Sequence, residues 1–187
     1  MKKVLLVALV SALALTGCGK KEEADKFEKY EKDNQATVED VKNIQLDDGT
    51  KEFENMMVLD NNTLETQFGL TVSDVDNYVA QVSYELDARM YVAIKPANGK
   101  TDKVKKMMGL YIDSVQTRLE MEKNSLQPST TVNEAGQNVE VPADTTYLDS
   151  QINMIKNYHF EEYNGYLIYV SSSSNQKIVD IIKSKIK

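Results

Sequence analysis

The chain has 187 residues, with 29 acidic against 22 basic side chains, a net charge of −7, one histidine and one cysteine. An acidic chain with two arginines, Arg89 and Arg118, lacks the cationic surface that neutralises phosphates, so nucleic acid is not an expected partner. One cysteine rules out an intrachain disulfide or a multi-cysteine metal centre and one histidine a paired-histidine site, and no metal or cofactor is expected.

Along the chain, Met1, Lys2 and Lys3 place positive charge ahead of an apolar run over residues 4–15 that only Ser11 interrupts. Twelve residues are too few to span a bilayer, which takes about 20, but they suit the apolar centre of a secretory signal. Leu15-Thr16-Gly17-Cys18 closes that run with an aliphatic residue, two small ones and the cysteine, and it resembles the lipobox of bacterial lipoproteins. The resemblance implies cleavage between Gly17 and Cys18 and a diacylglyceryl group on the Cys18 thiol. It also implies residence on the extracytoplasmic face of the cell membrane. Two acyl chains, palmitate or its like, are what stable anchoring requires. Loss of residues 1–17 leaves 20 basic against 29 acidic side chains, so the lipid rather than electrostatics must hold the protein at anionic head groups.

Residues 18–51 read as the lipidated cysteine and a charged flexible tether. Residues 19–34 offer only Ala24, Phe27 and Tyr30 for burial, too little to offset the entropy of ordering. Within that span a short helix can start at Thr37, where Val38, Val41 and Ile44 recur every third residue, and Asp47-Asp48-Gly49 stops it. The folded domain is expected over residues 52–187. A short helix capped by Asn61 or Asn62 covers residues 63–68 and stops at Gly69. Tyr78, Ala80, Val82, Tyr84 and Leu86 then alternate with polar residues as a half-buried strand, and Met90, Val92 and Ile94 mark its hairpin partner.

The spacing of Val104, Met107, Met108, Tyr111, Val115 and Leu119 predicts a long helix that starts at Thr101 and ends before Pro128. Residues 128–145 are polar, with a loose β-ribbon around Glu134-Ala135-Gly136-Gln137. A helix follows over residues 146–156 on Leu148, Ile152 and Ile155. Asn164-Gly165 joins strands over 158–163 and 166–171, since both residues tolerate positive φ. A last helix, capped by Ser173 or Ser174, carries Ile178, Ile181, Ile182 and Ile186. The fold class read from this order is α+β, with two β-hairpins forming one antiparallel sheet and helices packed on one face.

Gln67-Phe68-Gly69-Leu70, the strand ending in Lys95, the long helix, residues 147–157 and the run from Asn164 to Val170 resemble the lipoprotein family known as domain of unknown function 4358. The similarity is expected over residues 64–187, with residues 128–145 longer than usual. It implies a location, on the cell membrane of a Gram-positive-type envelope, and a fold, and no catalytic residues.

Chemical motifs are few. His159 is placed in a strand opposite Val170 and reads as a packing or surface histidine. Asp74-Val75-Asp76 with Glu85 mimics part of a calcium loop, but Tyr78 and Val79 stand where an oxygen ligand and glycine are required. Ser174-Asn175-Gln176-Lys177 and Ser184-Lys185-Ile186-Lys187 match serine-x-x-lysine without the companion elements of penicillin-interacting enzymes. Gly99-Lys100-Thr101 lacks the first glycine of a phosphate loop, which falls at Ile94. Glu161-Glu162 and Asp47-Asp48 are acid pairs of the type that hydrolyse glycans when they converge on a cleft. Seven tyrosines fall in expected strands and would suit packing or, if exposed, contact with protein or glycan.

These features lead to a non-catalytic interaction module, tethered to the membrane by lipid, whose partner is an envelope protein or wall component. The alternative is a small wall-acting hydrolase using paired carboxylates. A transporter's substrate-binding protein is disfavoured because the chain is short for two lobes.

Overall fold

The computed structural model describes residues 37, 39–41, 43–44, 51–53, 56–59, 61–83 and 86–186. The leader, Gly17, Cys18, residues 19–36, Asp47-Asp48, Tyr84 and Glu85 lie outside the described residues.

Among the described residues these elements follow in order: β1 (Met57–Val58), α1 (Asn61–Phe68), β2 (Val75–Val82), β3 (Met90–Pro96), α2 (Thr101–Ser125), β4 (Ser129–Val132), β5 (Asn138–Val141), α3 (Thr146–Lys156), β6 (His159–Tyr163), β7 (Tyr166–Ser171) and α4 (Asn175–Lys185). The main sheet is antiparallel in the order β1-β2-β3-β7-β6, and β4 and β5 form a separate ribbon. The two expected hairpins are β2–β3 and β6–β7, and they join through β3 and β7, where Val92 faces Tyr169. The α+β class and the single antiparallel sheet built on two hairpins therefore hold.

Turn chemistry explains the register. Asn164 and Gly165 both take positive φ, 49° and 80°, as a two-residue hairpin loop demands, and Tyr163 then pairs with Tyr166 and His159 with Val170. Gly69 ends α1 at φ +62°, in the left-handed position that commonly closes a helix.

The helices occupy both faces of the sheet, which corrects the one-face expectation. On one face α1, α2 and α3 bring Leu64, Met108, Val115 and Ile152 against Tyr78, Ala80, Val92, Ile94, Leu167 and Tyr169. On the other, Ile178, Val179 and Ile182 of α4 join Val41, Ile44, Phe53 and Met56 over Val79, Tyr91, Ala93, Ile168 and Val170. Side chains along a strand alternate between faces, so two covered faces mean strands buried continuously. Hence every residue from Tyr78 to Val82 in β2 and from Met90 to Ile94 in β3 is buried, and β2 is not the half-buried strand its alternation suggests. Gln81 is the polar member of this second face and is buried opposite Tyr91, whose hydroxyl donates to Gln81 Oε1 at 2.7 Å. Burial pushes the Tyr91 hydroxyl's pKa up. Phe53 meets the same ring edge-on, with centroids 5.4 Å apart.

Residues 37 and 39–41 are helical, and Val41 and Ile44 are 0% and 3% exposed. Packing thus extends into residues that composition assigns to the tether. Lys185 of α4 pairs with Asp40 at 2.8 Å along the same seam.

α2 runs for 25 residues, roughly 37 Å at 1.5 Å per residue, and buries Val104, Met108, Ile112, Val115 and Leu119. Its spacing repeats every three or four residues, which keeps one stripe on the sheet. The chain leaves α2 as the β4–β5 ribbon, with all eight strand residues exposed, and returns as α3. Lys123–Asp149 at 2.5 Å and Lys156–Glu120 at 2.9 Å tie α3 back to α2.

Candidate functional site

Three polar clusters and one projecting ribbon carry the surface chemistry of the described residues. The first cluster lies where α4 begins. Glu52 is 1% exposed, and its Oε1 accepts the Ser172 hydroxyl at 2.8 Å, the Ser173 backbone N–H at 2.8 Å and the Ser173 hydroxyl at 3.0 Å. The Ser172 hydroxyl oxygen in turn accepts the Ser174 N–H at 2.8 Å. The first N–H groups of a helix have no partners within it, and a carboxylate is favoured there. Glu52 supplies that carboxylate from 121 residues away, while Ser174 holds the capping position without a side-chain cap bond. The serine-x-x-lysine match at Ser174 thus sits on a helix start, and the distant acid holds the Ser172-Ser173 turn just ahead of it.

Beside it, Arg89 forms a two-pronged pair with Asp87 and donates to the Glu52 backbone carbonyl. The hydrogen bonds that the guanidinium donates to Asp87 raise its pKa against the opposing effect of burial. Asp87 also accepts the Arg89 N–H at 2.8 Å, so the pair shapes the loop between β2 and β3. Gln151 of α3 accepts the Ala88 N–H at 2.9 Å and pins that loop from the opposite layer.

The second cluster surrounds Asp74, whose side chain is 2% exposed. It accepts Lys103 Nζ at 2.6 Å and both the N–H and the hydroxyl of Thr71 at 3.0 Å, with Lys100 Nζ 3.6 Å from its other oxygen. Burial alone would raise its pKa; the Lys103 and Thr71 hydrogen bonds outweigh it and hold the group at about 2. Asp74 is therefore a lysine-paired turn residue, consistent with the rejected calcium reading. Among the described residues no group of three or more histidine, cysteine or acidic side chains is placed to hold a metal ion.

The third cluster is on edge strand β6. Glu161 accepts Lys183 Nζ at 2.6 Å and lies 3.4 Å from His159 Nε2, and the Lys183 bond holds its pKa below the usual glutamate value. Glu162 takes Lys105 Nζ at 2.5 Å. Neighbouring strand residues point to opposite faces, so Glu161 and Glu162 engage α4 and α2 respectively and do not converge. His159 faces Val170 across the hairpin, as expected, at the sheet edge.

Tyrosines are mostly core. Tyr78, Tyr91, Tyr166 and Tyr169 are at most 6% exposed. Burial raises the Tyr111 and Tyr169 hydroxyls to about 12 each. Tyr147 at the start of α3 is 57% exposed, and Phe160 on β6 is 42% exposed. The remaining exposed apolar side chains include Met121 near the end of α2 and Val132, Val139 and Val141 on the ribbon.

Sequence reasoning missed Glu52, because a carboxylate that reaches a turn across the whole domain leaves no local pattern. It also missed the Asp74–Lys103 pair, although Thr71-Val72-Ser73-Asp74 is a readable turn. Cys18 and Gly17 lie outside the described residues.

Residues 50–139 match the family model described as domain of unknown function (DUF4358), just under half of the chain. The match takes in α1, the β2–β3 hairpin, α2 and β4, and ends inside β5. It supports the resemblance in sequence over residues 64–139 of the span expected to carry it. No curated protein and no solved structure matches the chain.

Proposed function

We propose that a chain carrying this domain of unknown function is held on the extracytoplasmic face of the cell membrane by lipid on Cys18 and acts there as a non-catalytic interaction module. The observation that carries the reading is Leu15-Thr16-Gly17-Cys18 at the end of a twelve-residue apolar run. No helix among the described residues is long and apolar enough to cross a membrane. The non-catalytic part draws on the acids. Asp74, Asp87, Glu161 and Glu162 each face a lysine or arginine, an arrangement suited to structure rather than proton transfer. The partner is an envelope protein or a wall component.

The anchor is tested by feeding labelled palmitate to producing cells. The unaltered chain should carry the label and sediment with membranes, and Cys18→Ala should lose the label and remain uncleaved. Label on Cys18→Ala would sink the reading. The partner is sought by affinity capture from cross-linked cells with the tethered protein as bait; enrichment of a defined envelope protein or wall fragment is the expected result.

A further inference from the structure

An unpaired strand edge invites another strand, and proteins protect such edges by shortness, charge or cover. Four edges occur among the described residues. β1 is two residues long. β6 carries Glu161 and Glu162, each locked to a lysine. β5 carries Glu140. β4, Ser129-Thr130-Thr131-Val132, has no charge, and threonine and valine favour strands. It is also half of a two-stranded ribbon with all eight residues exposed, an arrangement that is marginal in water unless more strands are added.

The register shows which backbone groups are available. Asn133 donates its N–H to the Gln137 carbonyl at 2.9 Å, and Thr131 pairs with Val139 and Ser129 with Val141. Bonded pairs alternate in an antiparallel ladder, so the N–H and C=O groups of Thr130 and Val132 point away from β5. We propose that this edge is a self-recognition surface: two copies of the chain pair β4 with β4 about a two-fold axis at Thr131, joining their ribbons into one four-stranded sheet.

Charge leaves this edge, and not β5, open to a copy. Thr130 of each copy bonds to Val132 of the other, so no charged side chain meets another across the new seam. The two Glu140 carboxylates then stand three strand spacings apart, roughly 14 Å, beyond the Debye length at physiological salt. Pairing through β5 would set Glu140 beside the copy's own acidic strand. A seam of four residues buries far less than the ~1,200 Å² of a standard interface, so the pairing is weak in free solution. Copies held at one height on a membrane meet at high effective concentration, and for that crowding alone the inference rests on the tethered-module reading.

The test is disulfide trapping in producing cells labelled with palmitate, using the full chain with Thr131→Cys, with Thr130→Cys, and unaltered. In the paired sheet two residues at position 131 are opposed without hydrogen bonds, their Cα atoms about 4.5 Å apart, within disulfide reach. Two residues at position 130 sit diagonally, about 7–8 Å apart, outside it. Thr131→Cys should give a reducible dimer at least tenfold above Thr130→Cys and the unaltered chain. Adding Thr130→Pro, which removes an outward N–H and leaves the β4–β5 ladder intact, should abolish that dimer. A labelled chain that gives no dimer, or equal dimer at positions 130 and 131, overturns the pairing. Absence of the label is instead failure of the anchor reading, and trapping is then scored on the purified variants at high concentration by the same two criteria.

Discussion

The carboxylate of Glu52 accepts the backbone N–H of Ser173 at 2.8 Å, so a residue ahead of the first strand holds the turn that leads into the last helix. Three donors converge on one oxygen, and the other oxygen is buried with no hydrogen-bond partner among the described residues. Glu52→Ala strands those donors and should destabilise the protein by about 2–3 kcal/mol, the range for lost hydrogen bonds to a charged group. Glu52→Gln keeps an accepting oxygen and removes the charge, so it should cost less. Urea unfolding midpoints of the two variants check this; equal losses would mean that charge, not the accepting oxygen, is what matters.

Asp74 governs the acid limb. Its pKa is about 2 when folded against 3.8 for the free group. A depressed carboxylate contributes stability that is fully present above pH 3.8 and is lost as pH falls through the window down to 2. The contribution is on the order of 2 kcal/mol. Asp74→Asn should flatten the dependence of stability on pH across that window, read by denaturant unfolding at a series of pH values. An unchanged slope would remove Asp74 from the account.

Truncation at Lys51 should be costly, contrary to what composition alone implies for a tether. The missing residues include Val41 and Ile44, both buried against α4 and the sheet. Each such side chain contributes roughly 1.5–3 kcal/mol by burial, so the loss should reach at least about 3 kcal/mol. A chain beginning at Ala36 should retain nearly full stability. Comparison of the two unfolding curves decides where the packed region starts.

Gly165→Val should cost about 1–3 kcal/mol. Gly165 has φ +80°, and a Cβ there would meet only Lys95 Cε at 3.8 Å, so the penalty comes from the backbone rather than from crowding. Thermal unfolding measures it. Gly165→Ala should show a smaller loss of the same sign, because alanine lacks the β-branch.

Local patterns in the sequence were enough to locate most elements. The long helix, the helix over Thr146–Lys156 and the Asn164-Gly165 hairpin are legible because helical spacing, flanking Pro128 and positive-φ residues are properties of adjacent residues. His159 opposite Val170 follows from the same turn arithmetic. What only the tertiary structure decided is which faces are covered. The apolar stripe of α4 reads the same whether it packs on the first face or the second, and chain direction after β7 sends it to the second. That choice buries Tyr91 and Gln81, recruits Val41 and Ile44 from a stretch whose average composition is polar, and calls Glu52 to a helix end 120 residues distant. Burial and capping of this kind depend on contacts between segments far apart in the chain, and no window of neighbouring residues contains them.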